Sequence, residues 1–91
     1  MKLVVNSKIT GRESIFSFRD SSVMGVNLTW DVGIRTLQIM LEAGATIEIP
    51  QCVNDEGSPN PRDAKTFTMD NREFTNLETL HKMMGTKLML H

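Results

Sequence analysis

The chain has no tyrosine and a single cysteine, Cys52. One thiol closes no internal disulfide, which excludes the stapled scaffolds of small secreted domains and makes a reducing, cytoplasmic setting the expected one. No apolar run approaches ~18 residues and no signal-peptide pattern is present, so neither a membrane span nor export is expected. Neither sign of charge dominates. The net charge of −1 provides no general pull toward acidic membranes, and basic residues are not interleaved with aromatics, which argues against duplex nucleic acid as a partner.

Chemical signatures are equally sparse. There is no GxxxxGK[ST] or GxGxxG segment and no carboxylate pair on a recognisable acid/base scaffold. Cys52, His81 and His91 are too widely spaced for a zinc pattern, and Asn54–Asn60 is oxygen-rich without the alternating ligands and closing glutamate of a calcium loop. No metal and no cofactor is expected. A Cys52–histidine nucleophilic pair is the one enzymatic option, and it requires contacts that spacing does not establish.

What the chain does have is an ordinary globular composition, 40% apolar and 23% charged, in 91 residues. That is room for one α+β domain spanning residues 1–91, with a single modest core. Seven methionines supply adaptable apolar volume.

The stretch around which the remainder is organised is Thr29 to Ile49, TWDVGIRTLQIMLEAGATIEI. It is expected to be a helix from Thr29 to Ala43, stopped by Gly44, followed by a strand at Thr46–Ile49. At about 100° per residue Trp30, Ile34, Leu37 and Leu41 form one apolar stripe. Val32, Ile39 and Ala43 fall opposite, with Met40 between, and Asp31, Arg35, Gln38 and Glu42 make the polar strip. The apolar arc is about 200°, wide for so small a body. It points to a subunit contact through Val32, Ile39, Met40 and Ala43, with Trp30 either in the core or anchoring the same contact.

The flanks complete a small mixed or antiparallel sheet on two helices, in the order β-β-α-β-(β)-α-β. Lys2 to Asp20 reads as a hairpin about a two-residue Gly11-Arg12 turn, pairing Thr10 with Glu13 and Val5 with Phe18. Leu3, Val5, Ile9, Phe16 and Phe18 then share one face. Pro50, Pro59, Pro61 and Gly57 mark a long loop at about 50–65. Residues 65–84 admit two readings. In the preferred one, Thr66–Met69 is a strand and Asp70 caps a helix running to Met84. In the other, Asp70-Asn71 is a hairpin turn that sets Phe67 against Phe74, and a shorter helix starts with a Thr75–Glu78 capping box. Gly85 stops the helix in both, and Lys87–Leu90 is a terminal strand.

The expected function is a non-enzymatic interaction protein, a homo-oligomer that binds and modulates, or inhibits, another macromolecule. The alternative is capture of a phosphorylated or nucleotide-like anion, without chemistry, by Arg12, Arg19, Arg35 or Arg62.

Overall fold

The computed structural model describes residues 1–89. The fold is α+β: two antiparallel sheets and one helix enclose a common core. The first sheet has the order β2-β1-β6-β7, with β1 at Lys2–Ser7, β2 at Glu13–Ser17, β6 at Lys65–Met69 and β7 at Arg72–Phe74. The second has the order β3-β4-β5, with β3 at Val23–Asp31, β4 at Ile34–Leu41 and β5 at Thr46–Cys52. The helix α1, Leu77–Leu88, closes the core against β3, β4 and β7.

The expected helix at 29–43 is replaced by a β-hairpin. Val32-Gly33 is its turn, with Gly33 at φ 76°, and Asp31 pairs with Ile34. The physical reason lies in residues the helical reading passes over. Gly33 would sit mid-helix at a cost of about 1 kcal/mol, and Thr29, Val32, Ile34, Thr36 and Ile39 are stiff β-branched side chains that favour a pleated surface. The stretch carries apolar residues on both faces of β4, and a two-residue period with both phases partly filled imitates a wide helical arc. Alternation sorts them: Leu37 and Ile39 are buried, paired with Leu28 and Val26 on β3 and with Ile49 and Ile47 on β5. The helical arc is therefore no argument for a subunit contact.

The N-terminal hairpin forms in a different register. Val5 lies opposite Ser14 rather than Phe18, a slip of four residues, because a longer loop at 8–11 replaces the two-residue turn. Ser7 organises that loop: its N–H donates to Arg12 O at 2.9 Å, its carbonyl accepts from Gly11 N, and its hydroxyl accepts from the N–H of Thr10. A slip of even length keeps every side chain on its face, so Leu3 still packs with Phe16, while Ile9 moves into the exposed loop.

Residues 65–84 follow the second reading. Asp70 and Asn71 form the hairpin turn, both at positive φ, and Phe67 pairs with Phe74. Asn76, not Thr75, caps the helix, its side chain accepting from Glu78 N. Among the described residues there is thus one α-helix, and it runs through Gly85 to Leu88, where Met89 takes a left-handed cap. Lys87 and Leu88 are helical rather than extended, and Leu90 lies outside the described residues. β5 also runs past Pro50 to Cys52.

The core joins all layers. Leu3, Phe67 and Met69 come from the first sheet, Leu28, Leu37, Ile39 and Ile49 from the second, and Leu77, Leu80 and Met84 from the helix. One buried polar side chain ties them together. Gln51 donates from Nε2 to Thr75 O at 2.9 Å and accepts at Oε1 from Leu77 N at 3.3 Å, which fixes the start of α1 to β5.

Candidate functional site

In a two-residue antiparallel hairpin the closing pair, here Asp31 and Ile34, exchanges main-chain bonds, and so does every second residue along the strand. Asp31, Thr29 and Asn27 therefore turn their N–H and C=O groups toward β4. Trp30, Leu28 and Val26 turn theirs the other way, to the free edge of the sheet. Among the described residues a single side-chain contact reaches that edge: His81 Nε2 lies 3.2 Å from Val26 O.

The other edges are shorter or occupied. β7 has three residues and β2 five, against nine for β3. β5 is sealed at its outward residues Pro50 and Cys52. Pro50 has no N–H to offer, and its carbonyl accepts from Lys65 Nζ at 2.7 Å. The Cys52 N–H donates to Asp63 Oδ2 at 2.9 Å, and the Cys52 carbonyl accepts from Asn60 N. Exposed edges that natural sheets leave unblocked are sites of strand addition.

Beside the β3 edge runs a groove of about 770 Å³, bounded by Leu28 and Trp30 on one side and by Glu78, His81, Lys82 and Gly85 of α1 on the other. Trp30 is 63% exposed, and Val32 at the hairpin tip is 100% exposed. Arg35 supports the corner from below. Its guanidinium carbon stands 4.5 Å from the Trp30 ring centroid, Nη1 donates to Asp31 O at 3.0 Å, and Nε lies 3.8 Å from Glu78 Oε1. A β-carbon at Gly57 would sit 3.3 Å from Nη2, so the Asn54–Ser58 turn closes over the same guanidinium.

The sequence-derived site residues are scattered. Arg35 is committed to the contacts just described. Arg12 lines a cleft between the sheets with Asp63 and Lys65, Arg19 borders a different depression with Met1 and Asp70, and Arg62 is exposed in the short 3-10 turn Pro61–Asp63. The fold does not gather these arginines around one anion. Of the expected interface residues, Trp30, Val32, Met40 and Ala43 are exposed, whereas Ile39 is fully buried in the core. Met40 lies across the sheet from Gly25, its Cε where a β-carbon at Gly25 would come to 2.9 Å. The residues that spacing did not single out are Val26, Leu28, Glu78 and Lys82. The available signal was the Asp-Val-Gly-Ile turn, with alternation on both sides of it.

Cys52 is exposed and free. The hydrogen bond to Asp63 pushes its thiol pKa up, reinforced by burial and by the carboxylate charge, against the opposing pull of Lys65. A thiol held in its protonated form is a poor nucleophile at neutral pH. His81 is engaged with Val26, on another face of the fold, and His91 lies outside the described residues. Among the described residues no three His, Cys, Asp or Glu side chains converge as metal ligands, and no helix is long and apolar enough to cross a membrane.

No protein-family model, curated protein or solved structure matches the chain.

Proposed function

We propose that this protein is a small non-enzymatic interaction module, self-associating, that binds and modulates another macromolecule through the edge of β3. Main-chain groups of Val26, Leu28 and Trp30 pair with an added strand, and Trp30, Val32 and the α1 groove take its side chains. The observation that carries the reading is the contrast between edges: β5 is capped at Pro50 and Cys52, while the longer β3 keeps an outward row of N–H and C=O groups, met by His81 at Val26 O alone among the described residues, next to an exposed tryptophan. An extended segment meets such a row at a spacing of about 4.8 Å, with alternate side chains falling into the groove.

Selection of binders from a random peptide display library, followed by amide NMR titration, tests it. Enriched sequences should be extended and alternately apolar, and should shift the amides of Val26, Leu28 and Trp30 together with those of α1. Selected peptides that bind only at β2 or at the Cys52–Asp63 side, or a selection that enriches nothing, would sink the reading.

A further inference from the structure

We infer that the strand added at β3 is β3 of a second copy, in an antiparallel pair whose two-fold axis passes through Leu28. This inference rests on the interaction reading above and assigns the occupant of that edge when no other partner is bound; a partner's strand competes with the second copy for it.

Three features of the edge agree with its own mirror order. A bulge between Val23 and Gly25 ends the regular stretch at one side, and the turn at Val32 ends it at the other. The straight part is therefore Gly25–Asp31, whose midpoint is Leu28. The outward residues Val26, Leu28 and Trp30 are symmetric about the same point. Two copies in this register place Trp30 opposite Val26 of the second copy and Leu28 opposite itself. Such pairs exchange two main-chain bonds each, about four to six in all, since Val26 O of each copy also meets His81 Nε2. A two-fold contact of this kind uses one patch on both subunits and closes on itself.

The side chains fit the register. Asp31 is the one charged residue of β3, and it falls opposite Gly25 of the second copy, so no like charges meet. Beyond that pair, Met24, 68% exposed, comes beside the fully exposed Val32 of the second copy. Both are apolar groups that a lone copy leaves in water. The helix gives charge complementarity. Glu78 stands at the level of Trp30, through Arg35, and His81, one residue before Lys82, stands at the level of Val26. Since Val26 faces Trp30 across the axis, Lys82 is brought toward Glu78 of the second copy, and Lys82 has no ion pair among the described residues. The groove between α1 and the edge receives Trp30 of the second copy.

Register-specific crosslinking tests this. In a Cys52→Ser background, Asn27→Cys combined with Thr29→Cys places two thiols across the axis at a non-hydrogen-bonded pair. Roughly 4.5 Å between Cα atoms there lies within disulfide reach. Oxidation at low micromolar protein should give a covalent dimer, whereas Thr29→Cys with Asp31→Cys, which fits another axis, should not. Sedimentation of the unaltered chain should show a dimer, weakened at least tenfold by Met24→Asp or Val32→Asp, both at exposed positions that leave the fold intact by circular dichroism. A monomer at high micromolar concentration, or crosslinking in the wrong register, overturns the inference. If selected peptides still shift the β3 amides of that monomer, strand addition at the edge stands and self-association is lost from the interaction reading. If neither a dimer nor peptide binding is found, both fall. A dimer unaffected by Met24→Asp and Val32→Asp also overturns it, since the contact would then lie elsewhere.

Discussion

Arg35 and Trp30 face each other across the β3–β4 ladder, and the guanidinium carbon stands over the indole, 4.5 Å from the ring centroid. The pair holds an exposed tryptophan in one orientation. It does so from a side chain that is itself largely covered, 14% exposed, and bonded to the Asp31 carbonyl.

Removing the ring and removing the cation should therefore differ. Trp30→Ala gives up a stacking contact worth about 0.5–1 kcal/mol at an exposed site, and little buried area. Arg35→Ala also removes a largely covered side chain that packs under the ring and bonds the Asp31 carbonyl, and should cost more, about 1–2 kcal/mol. Arg35→Lys keeps the charge but loses the planar fork, and should fall between the two. Urea unfolding of the three variants checks the order.

Gln51→Leu should be among the more damaging single changes. The side chain satisfies the Thr75 carbonyl and the Leu77 N–H inside the protein, and leucine leaves both without partners. A loss of about 2–3 kcal/mol in chemical denaturation is expected. Asn76→Ala, which removes only the cap of the same helix, should cost about 1 kcal/mol.

Two backbone positions should respond in opposite senses. Gly33 at φ 76° turns the β3–β4 hairpin, and Gly33→Ala should cost about 1 kcal/mol. Ala43 already sits at φ 64°, where a β-carbon is strained, so Ala43→Gly should raise the melting temperature. Equal shifts of the same sign from both would contradict the assigned turn.

The Cys52–Asp63–Lys65 cluster should give the protein a sensitivity to acid. Burial pushes the Asp63 carboxyl up. That effect is outweighed by the N–H and thiol of Cys52 and by the Lys65 ammonium, so Asp63 titrates below its ordinary value. A carboxyl lowered on folding contributes stability above about pH 4, its unfolded range, and loses it as pH falls through the folded value. Thermal melts from pH 6 downward should show this loss, reduced in Asp63→Asn. The same variant should make Cys52 react faster with a thiol reagent at pH 8, since the carboxylate that keeps the proton on sulfur is gone.

The α+β class, the existence though not the register of the first hairpin, the strands near Thr46–Ile49 and Thr66–Met69, and a helix containing Leu77 and Leu80 are legible in the sequence. The central hairpin is not. Its core set, Leu28, Leu37 and Ile39, is two-residue periodic, but Ile34 and Met40 on the opposite face fill in a helical arc. The one position that discriminates, Gly33, lies inside the apparent helix. Val32, Met40 and Ala43 read as contact positions for the wrong reason, through a helical arc that does not exist, and Trp30, expected in the core or in the same contact, is exposed. Ile39 shows the cost of that error, since alternation sends it into the core. The open edge was illegible for a further reason: which strand ends a sheet is decided by pairings between residues as distant as Leu3 and Met69, which no local pattern encodes.

Pro50, Asp63 and Lys65 determine what the protein cannot become. Hydrogen-bonded ribbons lengthen into fibrils when both of their margins remain available to newcomers. Here the Pro50 and Cys52 groups of one margin are absent or already engaged within the chain, so a strand arriving at that stretch meets no continuous ladder. Loss of the aspartate and the lysine together would free the Cys52 N–H and the Pro50 carbonyl, leaving the proline ring and the Asn60 bond as the remaining breaks in that stretch.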